Sequence, residues 1–257
     1  MSIALWIVTC QKLVLLTKIS LINYKLKNIC VNKQIKIMLP ANPNILKCPH
    51  CNRLMRISSI MSGNTIGMTQ WSDAKSVCPM LPRVSPVLRC PVCEKYFFYR
   101  NEQIIGMCKL RRRSSWGHLS YKSLKEAFGQ LQPNGEDEKT VRLMLLHGYN
   151  DHYGGCIGTK LTSDTPADER KFFGDNAKRL IELMSDNQLF CAEIYRELGE
   201  FEKSLELLNS ITVSANMVGI TDQIKSRALQ YDSRVFVIVG PRESMRTARE
   251  DEKMFVH

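Results

Sequence analysis

Cys48-Pro49-His50-Cys51 and, further on, Cys90-Pro91-Val92-Cys93 are the two stretches that decide how this chain is read. Each places two cysteines on one tight turn. Two such turns supply four thiolates, the donor set a tetrahedral zinc ion takes in a structural site. Cys48, Cys51, Cys90 and Cys93 are therefore assigned as ligands of one structural Zn²⁺ per chain. A catalytic zinc keeps an open position and draws on His or carboxylate ligands, so four thiolates read as a closed site. The rival for a Cys-x-x-Cys turn, a thioredoxin-type redox pair, needs a single pair in a βαβ context.

The residues between the turns give the surrounding fold. Arg53 to Ile57 roughly alternates and reads as a strand, Ser62-Gly63-Asn64-Thr65 as a turn, and Ile66 to Trp71 as a second short strand. Val87-Leu88-Arg89 enters the second turn, and Tyr96-Phe97-Phe98-Tyr99 leaves it as an aromatic strand. Turn, sheet, turn, strand is the plan of a zinc ribbon. The 38 positions of residues 52–89 exceed the roughly 15–20 of the simple pattern. An insertion rich in Pro and turn residues fills the difference. In it, Asn64, Trp71 and Asp73 could line a small polar site. The plainer reading is turn chemistry, with Asp73 bonding its own backbone. His50 is read as exposed rather than liganding, and Cys78 as a packed thiol rather than a substitute ligand.

From Ser120 the hydrophobic period changes from two to between three and four. Leu124, Ala127, Phe128 and Leu131 mark a helix that Pro133-Asn134-Gly135 ends, and Val141 to Leu146 marks a second. Asn150 to Gly158 reads as a loop. Thr165-Pro166 reads as a helix start with Thr165 as the cap. His147 and His152 lie five apart, where two ligands on one helix face would lie four apart, and neither is assigned to metal. Ala192 to Leu208, with Leu198-Gly199-Glu200-Phe201 at its centre, resembles the middle of a tetratricopeptide repeat. In such a helix hairpin Gly199 turns the chain, and small Ser204 lets the second helix approach the first. A single repeat cannot bury its own face, so helices over 167–185 and Thr221–Tyr231 are expected to cover it. Val235 to Val239 reads as a strand or a helix end.

The class is thus α+β: a small β zinc-ribbon domain with an insertion, then an α-helical tetratricopeptide-like hairpin domain. The expected divisions are an extension over 1–37, a zinc-ribbon-like domain over 38–108, a basic linker over 109–119, helices over 120–240 and a charged tail over 241–257.

Charge and cysteine content bound the function. Of the 257 residues, 36 are Lys or Arg and 25 are Asp or Glu, for a net +11. The first 37 residues contain six lysines and no acid, and without them the net charge is +5. This weakens a nucleic-acid reading, which rests on Lys109 to Arg113 followed by Trp116. The bland reading of that cluster is a solvated linker. Residues 1–37 contain no uncharged run of about 18 residues, as a membrane helix needs, and no secretory signal pattern. Met38 is the expected start of the working protein, and a membrane contact is expected only if the extension belongs to it. Ten cysteines, four of them in paired turns, favour metal over disulfides and a reducing, cytoplasmic setting.

The two cysteine turns, Ser62-Gly63-Asn64-Thr65, Trp71-Ser72-Asp73, Pro79-Met80-Leu81-Pro82, Asn150-Asp151 and the Leu198-Gly199-Glu200-Phe201 hairpin together resemble a group of uncharacterised bacterial zinc-ribbon proteins with C-terminal tetratricopeptide-like helices. The resemblance spans roughly 45–240. It implies metal at the four cysteines and no particular reaction. No P-loop, G-x-S-x-G or Rossmann glycine pattern occurs, and no catalytic or organic cofactor-binding residue is assigned. The expectation is a non-catalytic module that binds a protein partner, with nucleic-acid binding as the alternative.

Overall fold

The computed structural model describes residues 38–108, 114–153, 165–215 and 217–238. The basic cluster at 109–113, the extension and the tail lie outside them. The described chain is mixed α+β, with small antiparallel sheets in the N-terminal part and six helices in the C-terminal part.

Strand β1 (Leu39–Pro40) pairs with β4 (Ile60–Ser62). Strand β2 (Asn44–Lys47) is central in a three-stranded sheet, between β3 (Leu54–Ile57) and β9 (Ile104–Met107). Two hairpins complete the strands, β5 (Thr69–Gln70) with β6 (Ser76–Val77), and β7 (Val87–Arg89) with β8 (Tyr96–Phe98). The strand expected over 66–71 is reduced to Thr69–Gln70. A turn closed by Met68 N–H to the Thr65 carbonyl, with Gly67 at φ +76°, breaks the apolar run.

The β7–β8 hairpin belongs to two cores at once. Successive strand residues point to opposite faces. Leu88 and Phe97, paired across the ladder, face a core with Leu46, Ile57, Cys48 and Cys90. Val87 and Tyr96, on the other face, pack with Leu124, Ala127, Val141 and Leu145 of the helices. The Tyr96 hydroxyl donates to Glu126 Oε2 at 2.9 Å, which fixes the hairpin to the first helix. Residues 114–119 cover the core beside the cysteine turns: Ser58 N–H bonds the Ser115 carbonyl and Ser85 N–H the Trp116 carbonyl. Gly117, at φ +72°, is required here, because a Cβ would lie 2.1 Å from Leu88 Cδ2.

The helices are α1 (Tyr121–Leu131), α2 (Gly135–His152), α3 (Ala167–Leu183), α4 (Gln188–Glu197), α5 (Phe201–Ser210) and α6 (Val218–Leu229). Ser120 caps α1 by accepting from Ser123 N–H, and Asn187 caps α4 by accepting from Phe190 N–H. Thr165 does not cap α3. Pro166 holds the cap position without a side-chain bond, and Thr165 contributes its carbonyl to Arg170 instead. Helix α2 runs on through Asn150, where a loop was expected, because partners distant in sequence satisfy the Asn150 amide.

The α4–α5 hairpin follows the sequence reading closely. Gly199 turns the chain at φ +78°. Ser204 is fully buried and its hydroxyl donates to the Ala192 carbonyl of α4 at 2.7 Å, so the two backbones lie close. Leu208 and Ala192 share a core cluster with Ile224 of α6, and Leu180 of α3 joins Phe190 and Ile194. The hairpin is therefore covered on both sides by neighbouring helices. Val237 forms an antiparallel bridge to Trp71, so the described part of the expected Val235–Val239 run, through Ile238, returns to the insertion, and Val239 lies outside the described residues.

Candidate metal centre and the buried polar cluster

The two cysteine turns have the same backbone. In the first, Cys48 N–H bonds the Arg53 carbonyl and Asn52 N–H bonds the Cys48 carbonyl. In the second, Cys90 N–H bonds the Lys95 carbonyl and Glu94 N–H bonds the Cys90 carbonyl. The residue after each second cysteine, Asn52 or Glu94, is left-handed at φ 59°. The β2–β3 connection and the β7–β8 connection are thus two copies of one turn, facing each other across the Leu46–Leu88–Phe97 core.

They bring the four assigned sulfurs together. Cys48 Sγ lies 3.8 Å from Cys93 Sγ, and Cys51 Sγ lies 3.7 Å from Cys90 Sγ. All four lie within 4.8 Å of one another. A disulfide would put sulfurs about 2.05 Å apart. Four sulfurs bonded at about 2.3 Å to one tetrahedral zinc stand about 3.8 Å from each other. The donor set and its spacing fit a thiophilic metal such as zinc, held as a closed structural site. Cys90 also accepts a bond from Val92 N–H at 3.5 Å. The Cys51 thiol receives a lowering hydrogen bond from the Arg53 backbone. Desolvation and the three neighbouring thiols outweigh it and push Cys51 up to about 11. Burial raises Cys90, but hydrogen bonds from the Cys93 and Val92 backbone and its thiol neighbours bring it down to about 7. A shared cation would bind all four as thiolates.

The other candidates fall outside this cluster. His50 is exposed and its Nε2–H donates to the Tyr96 carbonyl, at 3.0 Å. Cys78 is half-buried and is not among the clustered thiols. His152 stacks on Tyr121 with ring centroids 6.2 Å apart. His147 Nε2 is 2.9 Å from the Asp73 carbonyl, which can only accept, so that nitrogen carries the proton.

Asn64 and Asp73 both make the turns expected of them, accepting from Ile66 N–H and Lys75 N–H. Asp73 does more. It is fully buried, and Asn150 Nδ2 donates to its Oδ2 at 3.0 Å. The same Asn150 nitrogen donates to Glu197 Oε2, also at 3.0 Å. Beside them Arg196, fully buried, closes on Glu193 with both Nε and Nη2. Its remaining N–H groups reach the carbonyls of Asp232 and Arg234 and the Ser72 hydroxyl. The backbone of Ser72 bonds the Phe236 carbonyl, and Ile238 N–H bonds the Gln70 carbonyl. Trp71-Ser72-Asp73 is thus the plug by which the insertion of the N-terminal part enters the helical part. The partners of Asp73 come from the helices and not from the cysteine turns. Sequence reasoning missed Asn150, Glu193, Arg196 and Glu197 as one cluster. The only signal for it was three polar residues, Glu193, Arg196 and Glu197, on the apolar-facing turns of one short helix.

The chain is, at this level, an α+β protein with a closed four-cysteine cluster compatible with structural zinc. No family model matches it, no curated protein matches it, and no solved structure matches it. Among the described residues, no helix is long and apolar enough to cross a membrane.

Proposed function

We propose that the protein is a non-catalytic, cytoplasmic interaction or adaptor module, a zinc ribbon with an insertion joined to a tetratricopeptide-like helical part. The observation that supports it most is the closed set of four thiols. Such a set leaves no coordination position for substrate or water, so the metal it suits holds structure rather than performs hydrolysis. The zinc would hold the two turns in register and so fix the two-faced β7–β8 hairpin against both cores. Cys48, Cys51, Cys90 and Cys93 would be its four ligands, one ion per chain.

The surface supports a protein partner. A groove of about 760 Å³ runs between β3 and residues 114–119, with Ile45, Leu54, Met55, Arg56, Arg89 and His118 on its walls. Leu54 is 60% exposed there, and Ile105 and Met107 of the same sheet are also exposed. A mixed apolar and basic wall suits an extended, acidic-apolar peptide. Nucleic-acid binding is the second reading, since Arg56 and Arg89 border the segment that leads to Lys109–Arg113.

A photo-crosslinking residue in place of Leu54, in the zinc-loaded protein within cells, tests this. A discrete protein adduct is expected. An adduct to nucleic acid whose yield falls steeply with salt would put the second reading first. No adduct of either kind would overturn the assignment of this groove.

A further inference from the structure

Asn150 gives its amide to two buried carboxyls, those of Asp73 and Glu197, and among the described residues neither is paired with a cation. The cations nearby are committed elsewhere. Arg196 is closed on Glu193, and Arg227 and Arg234 both pair with Asp232. Lys75 pairs with Asp151, and His147 donates to the Asp73 carbonyl. Three buried carboxyls, Asp73, Glu193 and Glu197, therefore share one buried guanidinium. An isolated buried carboxylate is expensive, and it takes up either a proton or a counter-cation.

Glu197 is where the deficit opens onto space. It is 8% exposed, and its Oε1 is buried without any hydrogen-bond partner. It lines a cavity of about 80 Å³, with Tyr149, Asn150, Phe173, Ser233 and Arg234 on the other walls. One water needs about 10–15 Å³ on this measure, so the cavity has room for a molecule of a few heavy atoms. Tyr149 and Phe173, stacked 4.2 Å apart, form an aromatic wall. The Arg234 guanidinium is turned out onto Asp232 at 2.8 and 3.1 Å and does not fill the space.

We propose that this cavity binds a small primary ammonium ion, with Glu197 Oε1 as its buried acceptor and the Tyr149–Phe173 wall beside its carbon. The ammonium N–H donates to Oε1, the partner the carboxyl otherwise lacks, and its charge answers the deficit. An aromatic ring near the cation adds attraction. Burial, then the neighbouring Glu193 and Asp73 charges, push the Glu197 carboxyl well above the usual range. The incoming cation competes with the proton that this raised carboxyl takes up. The site is independent of the metal cluster and of the groove beside β3.

Titration calorimetry of the full, zinc-loaded chain with methylammonium chloride tests this, against sodium chloride at equal ionic strength. Repeating it in two buffers of different ionisation heat detects proton release. The expected result is saturable binding of methylammonium accompanied by proton release, absent with sodium and with the bulkier tetramethylammonium. Glu197→Gln should weaken it at least tenfold, roughly the worth of one hydrogen bond to a charge. Should Glu197→Gln fail to fold, Ser233→Leu, which fills the cavity from its rim and leaves the polar cluster intact, should abolish binding. Equal binding by wild type and either folded variant, or no saturable binding by the wild type, overturns the proposal.

Discussion

The two buried clusters of this protein are built by opposite rules. The cysteine cluster takes two ligands from each of two short turns, Cys48 to Cys51 and Cys90 to Cys93, and each turn closes on its own backbone hydrogen bonds. The carboxylate–guanidinium cluster takes Asp73 from the insertion, Asn150 from α2, and Glu193, Arg196 and Glu197 from α4. Its bonds span 77 and 47 positions at Asn150. The first is assembled by local geometry and has the spacing that suits a shared cation. The second forms only when the N-terminal and helical parts have already met.

The largest expected effect separates the two. Cys90→Ser should bring zinc content from one per chain to none, since three thiolates and a hydroxyl lose most of the metal's affinity. Structural zinc is worth on the order of 10–16 kcal/mol in small metal-folded units, more than most domains have in total. Hydrogen exchange should show protection lost over Val87–Phe98 and lowered in α1, which packs on Val87 and Tyr96. The α4–α5 hairpin, far from that face in its contacts, should keep its protection. Full zinc occupancy in both Cys48→Ser and Cys90→Ser would break the four-cysteine assignment.

The counterpart in the second cluster is Arg196→Met. It leaves Glu193 buried without its partner and frees the carbonyls of Asp232 and Arg234, at a cost of about 3–5 kcal/mol. Zinc content should not change. Adding Glu193→Gln should restore part of the loss, because it removes the stranded charge. A single-variant effect below about 1 kcal/mol would mean that the cluster does not hold the insertion to the helices.

These differences also explain what could be read from the sequence. Both cysteine turns, the strands at Leu54–Ile57 and Tyr96–Phe98, and the α4–α5 hairpin were legible, because spacing, aromatic content and Gly199 act over a few residues. Asn150 was misread as loop because a polar residue late in a helix looks like an ending until Asp73 and Glu197 are seen to take its amide. Trp71-Ser72-Asp73 stood out, and its turn chemistry was read correctly. Its docking role was not legible, since nothing local says that Ser72 will bond Phe236, 164 positions away.

A carboxylate held between two guanidinium groups sharpens the contrast through pH. Glu138 is held at about 2 by hydrogen bonds from Arg179 and then Arg142. Its ordinary value in an unfolded chain is about 4.3. A lowered folded-state value stabilises above the unfolded value, and this is lost as pH falls through about 2. Glu197, raised instead, contributes below about 4.3, and that contribution is lost as pH rises. In urea unfolding, Glu138→Gln should therefore differ from wild type above pH 4 and converge with it toward pH 2. The Cys cluster is common to both proteins and cancels in the comparison. A constant difference at every pH would assign the Glu138 effect to packing rather than charge.

The smallest expected effect compares the two cysteine turns with each other. Asn52 and Glu94 hold the same left-handed conformation at φ 59° after the second cysteine. Asparagine adopts it readily, glycine at no steric cost, and a longer side chain at about 1 kcal/mol. Glu94 offsets this only through a pair with Arg89, at 3.1 Å, whose side chains are 45% and 69% exposed. Exposed pairs of this kind contribute little. Glu94→Asn should thus raise the melting midpoint, by the equivalent of a few tenths to about 1 kcal/mol, and Asn52→Ala should lower it by a similar amount. Zinc content should stay constant in both. Had the two turns different tasks, for instance if Glu94 anchored Arg89 against the neighbouring Tyr96 ring, Glu94→Asn would destabilise instead. Equal and opposite shifts would show that the chain uses one turn twice and that only its first copy carries the residue best suited to it.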